Sequence, residues 1–280
     1  MMSQKEKAEA FRALHHGEHI LILPNAWDVP SARIFEEAGF PAIATSSTGL
    51  MVSLGYQDGE TIDKREFFSA VERIAKVLSV PLTVDAVSGF GETPSEVAST
   101  VQSLVKIGAI GINIEDLNTA TGILLSTEKQ VAKLKAIRKL DNSTGIPLVI
   151  NARTDALRHG AGSDEERLNE AIRRSQAYRD AGADCVYPMG LTDAASISTF
   201  VKALNFPVNV MVRRGLPPIK ELERLGVARV SFGPAASYAT MGFLKRAAAE
   251  VLEKGTYESL VEGAITFDEL NALVVPKARG

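Results

Sequence analysis

Short apolar runs recur along the chain at residues 20–23, 42–46, 82–86, 111–115, 148–152, 185–188, 208–211 and 229–232. Each is too short for a buried helix and rich in β-branched residues, so each predicts a buried strand. The segments between them carry helix-start signals, among them Ser31, Thr93-Pro94, Ser126-Thr127-Glu128 and Ser163-Asp164-Glu165-Glu166. Several of these segments end in glycine, at Gly39, Gly108, Gly182 and Gly226. Eight strand–helix units with no strand left over predict an α/β fold of the closed (β/α)8 TIM-barrel type rather than an open doubly wound sheet. Residues 1–19, with Phe11 and Leu14, predict a helix before the first strand. A helical tail over 256–280, with Tyr257, Leu260, Val261, Phe267 and Leu270, lies beyond the closed barrel. Its apolar faces need a partner surface, so it is expected to pack on, or swap with, a neighbouring subunit.

A length of 280 residues suits one barrel domain over 1–280. Hydrophobic residues at 45%, charged residues at 23% and a formal net charge of −3 are ordinary for a globular protein and give no reason to expect a nucleic-acid partner. Lys129, Lys133, Lys135, Arg138 and Lys139 are read as a solvated helix face. The first seven residues, Met-Met-Ser-Gln-Lys-Glu-Lys, resemble neither a signal peptide nor a membrane span, so the expected location is cytoplasmic, with no membrane partner. The single cysteine, Cys185, rules out an intrachain disulfide framework and reads as a small buried strand residue. No G-x-G-x-x-G turn follows the first strand, which removes the main support for a dinucleotide fold. His15, His16, His19 and His159 are expected to be solvated or structural.

The chemistry gathers where three consecutive strands end: Asp85, then Glu115 with Asp116, then Arg153 with Asp155. The C-terminal ends of parallel strands are where such barrels place their sites. Asp85, with Glu115 and Asp116 completing an oxygen-rich shell, suits Mg2+ or Mn2+. Arg153 either presents paired donors to a substrate carboxylate or forms an ion pair with Asp155. Trp27 stands at the mouth of the first strand as a wall for the pocket.

The ordered set Asn25-Ala26-Trp27-Asp28, Asp85 with Ser88-Gly89-Phe90-Gly91, Ile114-Glu115-Asp116, Asn151-Ala152-Arg153-Thr154-Asp155, Asn209-Val210-Met211 and Arg229-Val230-Ser231-Phe232-Gly233 resembles the isocitrate lyase/phosphoenolpyruvate mutase superfamily. The resemblance implies that Ser46 and Ser47, with the backbone N–H groups after them, hold a substrate carboxylate or enolate. It further implies substrate contacts from Arg153 and Asn209, a loop aspartate at Asp58, a metal at Asp85 and Glu115, and a homo-oligomer, dimer or tetramer. Asp58 reads equally well as a turn residue, and Asn209 as a cap.

Three departures bear on the reaction. Ala44 stands where relatives usually carry tyrosine, and Val87 replaces the second acid of a D-x-D pattern, which implies a weaker metal site. The K-x-C-G-H loop that serves isocitrate cleavage is replaced by residues 117–125, which contain no cysteine, histidine or lysine. The expected function is therefore a carbon–carbon lyase or decarboxylase of oxaloacetate type, working through a metal-stabilised enolate. Alternatives are a phosphonomutase or phosphonopyruvate hydrolase, for which the replaced loop offers no cations, and a carboxylate-binding protein without catalysis.

Overall fold

All eight apolar runs form strands in a computed structural model, which describes residues 2–275; the last five residues of the expected tail, 276–280, lie outside the described residues. The barrel strands are β1 (Leu21–Leu23, continued beyond Pro24 by Asn25–Ala26), β2 (Ile43–Thr45), β3 (Leu82–Asp85), β4 (Gly111–Glu115), β5 (Val149–Thr154), β6 (Cys185–Pro188), β7 (Asn209–Met211) and β8 (Arg229–Ser231). Every neighbouring pair among them is parallel. Pro24 divides the first strand: its early half pairs with β8 and its later half with β2. A bridge between Val186 and Val208 joins β6 to β7 and completes the (β/α)8 circuit.

Local chemistry explains the helices. Thr93, Ser126 and Ser163 cap the helices that follow them, as their sequence predicts. The helix expected at Ser31 begins earlier, at Val29, because Asp28 is the cap and Ser31 closes the reciprocal capping box from inside the first turn. Gly39, Gly108, Gly182 and Gly226 all adopt positive φ, which ends their helices at little steric cost. Sequence pattern missed the small hairpin of Leu117–Asn118 with Ile123–Leu124 and the short helices Leu140–Thr144 and Ala156–His159. Lys133 is not on a solvated face. It is 4% exposed, and its ammonium donates to the Ser88 carbonyl at 2.9 Å, bracing the loop after β3.

The N-terminal helix Gln4–Leu14 closes the barrel at the end opposite the chemistry. Ala8 and Phe11 are fully buried against Leu21, Ile110 and Val149, residues at the starts of their strands. His15 follows this helix, 4% exposed, with Nδ1 at 2.9 Å from the Phe11 carbonyl and its ring edge-on to Phe11 at 4.9 Å. At the other end of the chain, the helix Ala235–Lys254 buries only Ser237 and Ala247. Tyr238, Met241, Leu244 and Leu252 remain exposed, Leu252 by 87%. Of the two tail helices, Glu258–Val261 and Phe267–Val274, the second packs on Val29–Glu37 of its own chain through the buried Leu273. No helix among the described residues is long and apolar enough to cross a membrane.

Burial pulls the His15 imidazole from 6.5 down to about 3, with the nearby Arg229 charge adding to the effect. The folded state therefore holds a neutral ring. Its contribution is complete above about pH 6.5 and is lost as pH falls toward 3, by at most about 1.4 kcal/mol per pH unit. Urea unfolding between pH 7 and 5 should show this loss in the wild type and a flatter profile in His15→Asn, which cannot titrate there. Equal slopes would show that His15 is not the responsive group.

Candidate active site

Parallel register aligns the polar residues of adjacent strands into rows. Asp85 on β3 pairs in register with Asn113 on β4, and Asn113 with Asn151 on β5. Their side chains form a relay: Asn151 Nδ2 donates to Asn113 Oδ1 at 2.9 Å, and Asn113 Nδ2 donates to Asp85 Oδ1 at 2.9 Å. An ionised carboxylate only accepts, so Asp85 fixes the orientation of both amides. Asn151 Oδ1 is left buried without a partner. Asp85 also receives longer contacts from the backbone N–H groups of Ser47 (3.3 Å) and Val87 (3.4 Å), and no cation pairs with it among the described residues.

The next row, two residues toward the strand ends, holds Glu115, Arg153 and Tyr187. Arg153 binds Asp155 through Nε (2.7 Å) and Nη2 (2.9 Å), and Glu115 through Nη1 at 2.6 Å. The ion pair with Asp155 is thus formed through two hydrogen bonds, and Glu115 adds an ion-pair contact at Nη1. At least one N–H on each terminal nitrogen makes no hydrogen bond among the described residues. Burial works against the Arg153 charge, but Glu115 and Asp155 outweigh it and hold its pKa above the ordinary value. Burial pushes Glu115 up to about 8, opposed by Arg153. Tyr187, under Arg153 with 5.9 Å from guanidinium carbon to ring centre, is held protonated by burial, and among the described residues its hydroxyl donates to the Met189 thioether, at 3.3 Å.

A cavity of about 470 Å³ opens over these rows at the C-terminal mouth of the barrel. It is lined by Ser46, Ser47, Asp58, Asp85, Arg153 and Asn209 from the sequence-derived set. Glu115 and Trp27 do not line it. Glu115 lies behind Arg153 as its counter-ion, which uses the carboxylate that a metal shell would need. Asp116 turns away altogether: fully buried, it accepts from Tyr178, Thr154 and Arg174 in a structural network. Among the described residues, no group of three or more acidic, histidine or cysteine side chains converges as a metal cluster.

The remaining positions separate by local chemistry. Ser46 caps the helix Ser47–Ser53, its hydroxyl accepting from Gly49 N at 3.2 Å, while the Ser47 N–H faces Asp85. Gly49 has no room for a side chain, since a Cβ there would meet that of Trp27 at 2.8 Å. Trp27 therefore backs this turn. Asp58 accepts from Thr48 Oγ1 at 2.6 Å and has no cationic partner among the described residues. Asn209 is fully buried, donates to Ser231 Oγ at 3.2 Å and leaves Oδ1 unpaired, so it caps no turn.

The phosphoenolpyruvate phosphomutase family model matches residues 11–252 of this barrel. The chain belongs to the isocitrate lyase/phosphoenolpyruvate mutase superfamily. The 2-methylisocitrate lyase of Escherichia coli K12 is 32% identical over 96% of this chain and 92% of its own. A solved protein of Burkholderia cenocepacia J2315, described only as a candidate lyase/mutase, is 35% identical with a TM-score of 0.88, covering 96% of this chain and 95% of that one. The solved 2,3-dimethylmalate lyase is 26% identical with a TM-score of 0.83, over 98% and 95%.

Residues 117–125 close into the two-strand hairpin and present no group that exchanges protons near neutral pH. Val87 is 3% exposed, joins the apolar core and has φ +53°, so a carboxylate there would enter buried apolar surroundings rather than the solvent of a cavity rim. Sequence reading missed Asn113 and Tyr187 as cavity residues and gave no role to Asn151 or Arg229. A polar residue interrupting an apolar strand, as in Ile112-Asn113-Ile114, was the available signal.

If the remaining terminal N–H groups of Arg153 take a carboxylate, Arg153→Lys should weaken oxalate binding by about 1.5–3 kcal/mol, the scale of a charge-assisted hydrogen bond. Calorimetric titration measures this directly. Unchanged affinity would place the carboxylate elsewhere.

Proposed function

We propose that the protein is a carbon–carbon lyase acting on a small α-keto dicarboxylate, with decarboxylation of oxaloacetate as the reaction that fits its residues best. The observation that carries this reading is Arg153, pinned by Asp155 and Glu115 with terminal N–H donors left over, beside an Asp85 carboxylate that has no cation of its own. The substrate carboxylate lies on Arg153. The charge that develops on the enolate oxygen meets the Ser46–Ser47 turn and the Tyr187 hydroxyl, a preorganised donor that burial keeps protonated. Breaking the carbon–carbon bond releases carbon dioxide and leaves its electron pair on the enolate; water then protonates the carbon to give pyruvate. No acid is needed on the loop at 117–125, in keeping with its composition.

The donor set fits a divalent cation that keeps most of its waters. Asp85 and Asp58 both line the cavity without cationic partners, Asn151 Oδ1 is an unsatisfied acceptor, and Mg2+ takes one or two carboxylates in such sites. Asp85 would hold it, with Asp58 and Asn151 as acceptors for its waters. When bound, Mg2+ or Mn2+ supplies Lewis-acid stabilisation of the enolate. Glu115 is better described as the partner of Arg153 than as a ligand.

Incubation with oxaloacetate and Mg2+ should yield pyruvate and carbon dioxide in equal amounts, above the rate with metal alone, while 2-methylisocitrate stays intact. Cleavage of 2-methylisocitrate without loss of oxaloacetate would overturn the reading. A second reading has one specific support: Arg158 and Arg213 also line the mouth, supplying from other loops the cations that residues 117–125 lack. Turnover of phosphonopyruvate, followed by phosphorus NMR, would favour this phosphonate chemistry.

We further propose that the protein is a homo-oligomer whose contact surface is the apolar side of Ala235–Lys254 together with the tail. Static light scattering should give a multiple of the chain mass, reduced by Leu244→Glu combined with Leu252→Glu. An unaltered mass in that variant would remove this helix from the interface.

A further inference from the structure

Arg229 is a buried cation that the mechanism above does not use. It begins β8 in register with Leu21 and Asn209, its residue surface is 2% exposed, and it lines the floor of the cavity. Nε and Nη1 are buried without hydrogen-bond partners, and among the described residues no carboxylate lies within ion-pair distance of it. Below it stand the Phe11 ring, 6.0 Å from the guanidinium carbon, and the neutral imidazole of His15. Beside it are Cys185, whose thiol burial pushes up to about 12, and Tyr187, also neutral. Asp85 is the one nearby acid that acts on it, and it does so from beyond contact distance. An uncompensated buried charge is costly in general, and an anion that arrives beside it at the floor of a cavity relieves that cost. Replacing Arg229 by an apolar side chain should, by the same argument, leave the empty fold no less stable.

We infer that Arg229 forms a second anion subsite at the base of the cavity, taking the far carboxylate of a substrate whose other end lies on Arg153. The guanidinium lines the cavity with no acid of its own to hold it, which suits it to an oxyanion, and Asn209, on the adjacent strand, has an unpaired amide oxygen. A monocarboxylate engages one of the two guanidinium groups; a dicarboxylate engages both. This rests on the reading of Arg153 as the first carboxylate site, and it makes Arg229 a determinant of specificity for doubly charged ligands.

Calorimetric titration of the full chain with malonate against propionate, and succinate against butyrate, tests it. In the wild type, at least one dicarboxylate should bind about tenfold or more tightly than its partner of equal carbon count, the scale of one added charge-assisted hydrogen bond. Arg229→Met should bring that ratio close to one without lowering the melting temperature, and Arg229→Lys should keep part of it. A wild-type ratio near one for both pairs, with monocarboxylates bound, would overturn the inference while leaving the Arg153 reading intact. So would an undiminished ratio in Arg229→Met, or a lower melting temperature with the ratio kept, which marks a structural role. Failure of the wild type to bind any of the four would overturn the Arg153 reading itself.

Discussion

The register of neighbouring parallel strands sets where every polar group in the cavity stands. Because β3, β4 and β5 pair at Asp85, Asn113 and Asn151, three side chains that are far apart in sequence become hydrogen-bond neighbours. The same register, two residues on, sets Glu115, Arg153 and Tyr187 side by side. A one-residue slip in β5 would turn Asn151 and Arg153 to the opposite face, and both rows would be lost together. The site is thus stiff because its geometry is that of the barrel backbone, with side-chain bonds adding direction rather than position.

Charge is distributed unevenly over that frame. The inner wall at Arg153 sets one guanidinium against two carboxyl groups, Asp155 and Glu115, the second drawn up to about 8 by burial. Asp85 and Asp58 on one side, and Arg229 at the floor, have no partners of opposite sign among the described residues. The buried Arg229 charge destabilises the empty cavity, and with the open carboxylates nearer its mouth it favours a ligand that presents both an anion and, through a hydrated metal, a cation. That pattern agrees with a small carboxylate as substrate and argues against a purely structural reading of the pocket.

Much of this was legible in the sequence because it depends on local rules. Strand positions followed from short β-branched runs, helix starts from capping residues, and the strand-end acids and Arg153 from polar groups closing apolar runs. What escaped depends on packing between distant segments. The sequence pairs Glu115 with Asp116 as neighbouring acids, but alternation along a strand sends one to Arg153 and the other into the network with Tyr178 and Arg174. Position 87 reads as a rim position, yet the left-handed turn there carries Val87 into the core. Arg229 could not be told from a strand-edge arginine until the absence of an acid around it was visible.

The most direct measurement is a crystal structure of the protein with oxalate and Mg2+, since oxalate carries the paired carboxylates of the ligand class and resembles a pyruvate enolate. The account predicts oxalate in the barrel mouth with a carboxylate on the outer Nη1 and Nη2 hydrogens of Arg153, and with the Asp155 and Glu115 contacts to that guanidinium retained. Oxalate bound away from Arg153, or an Arg153 side chain released from both acids to reach it, would contradict the account.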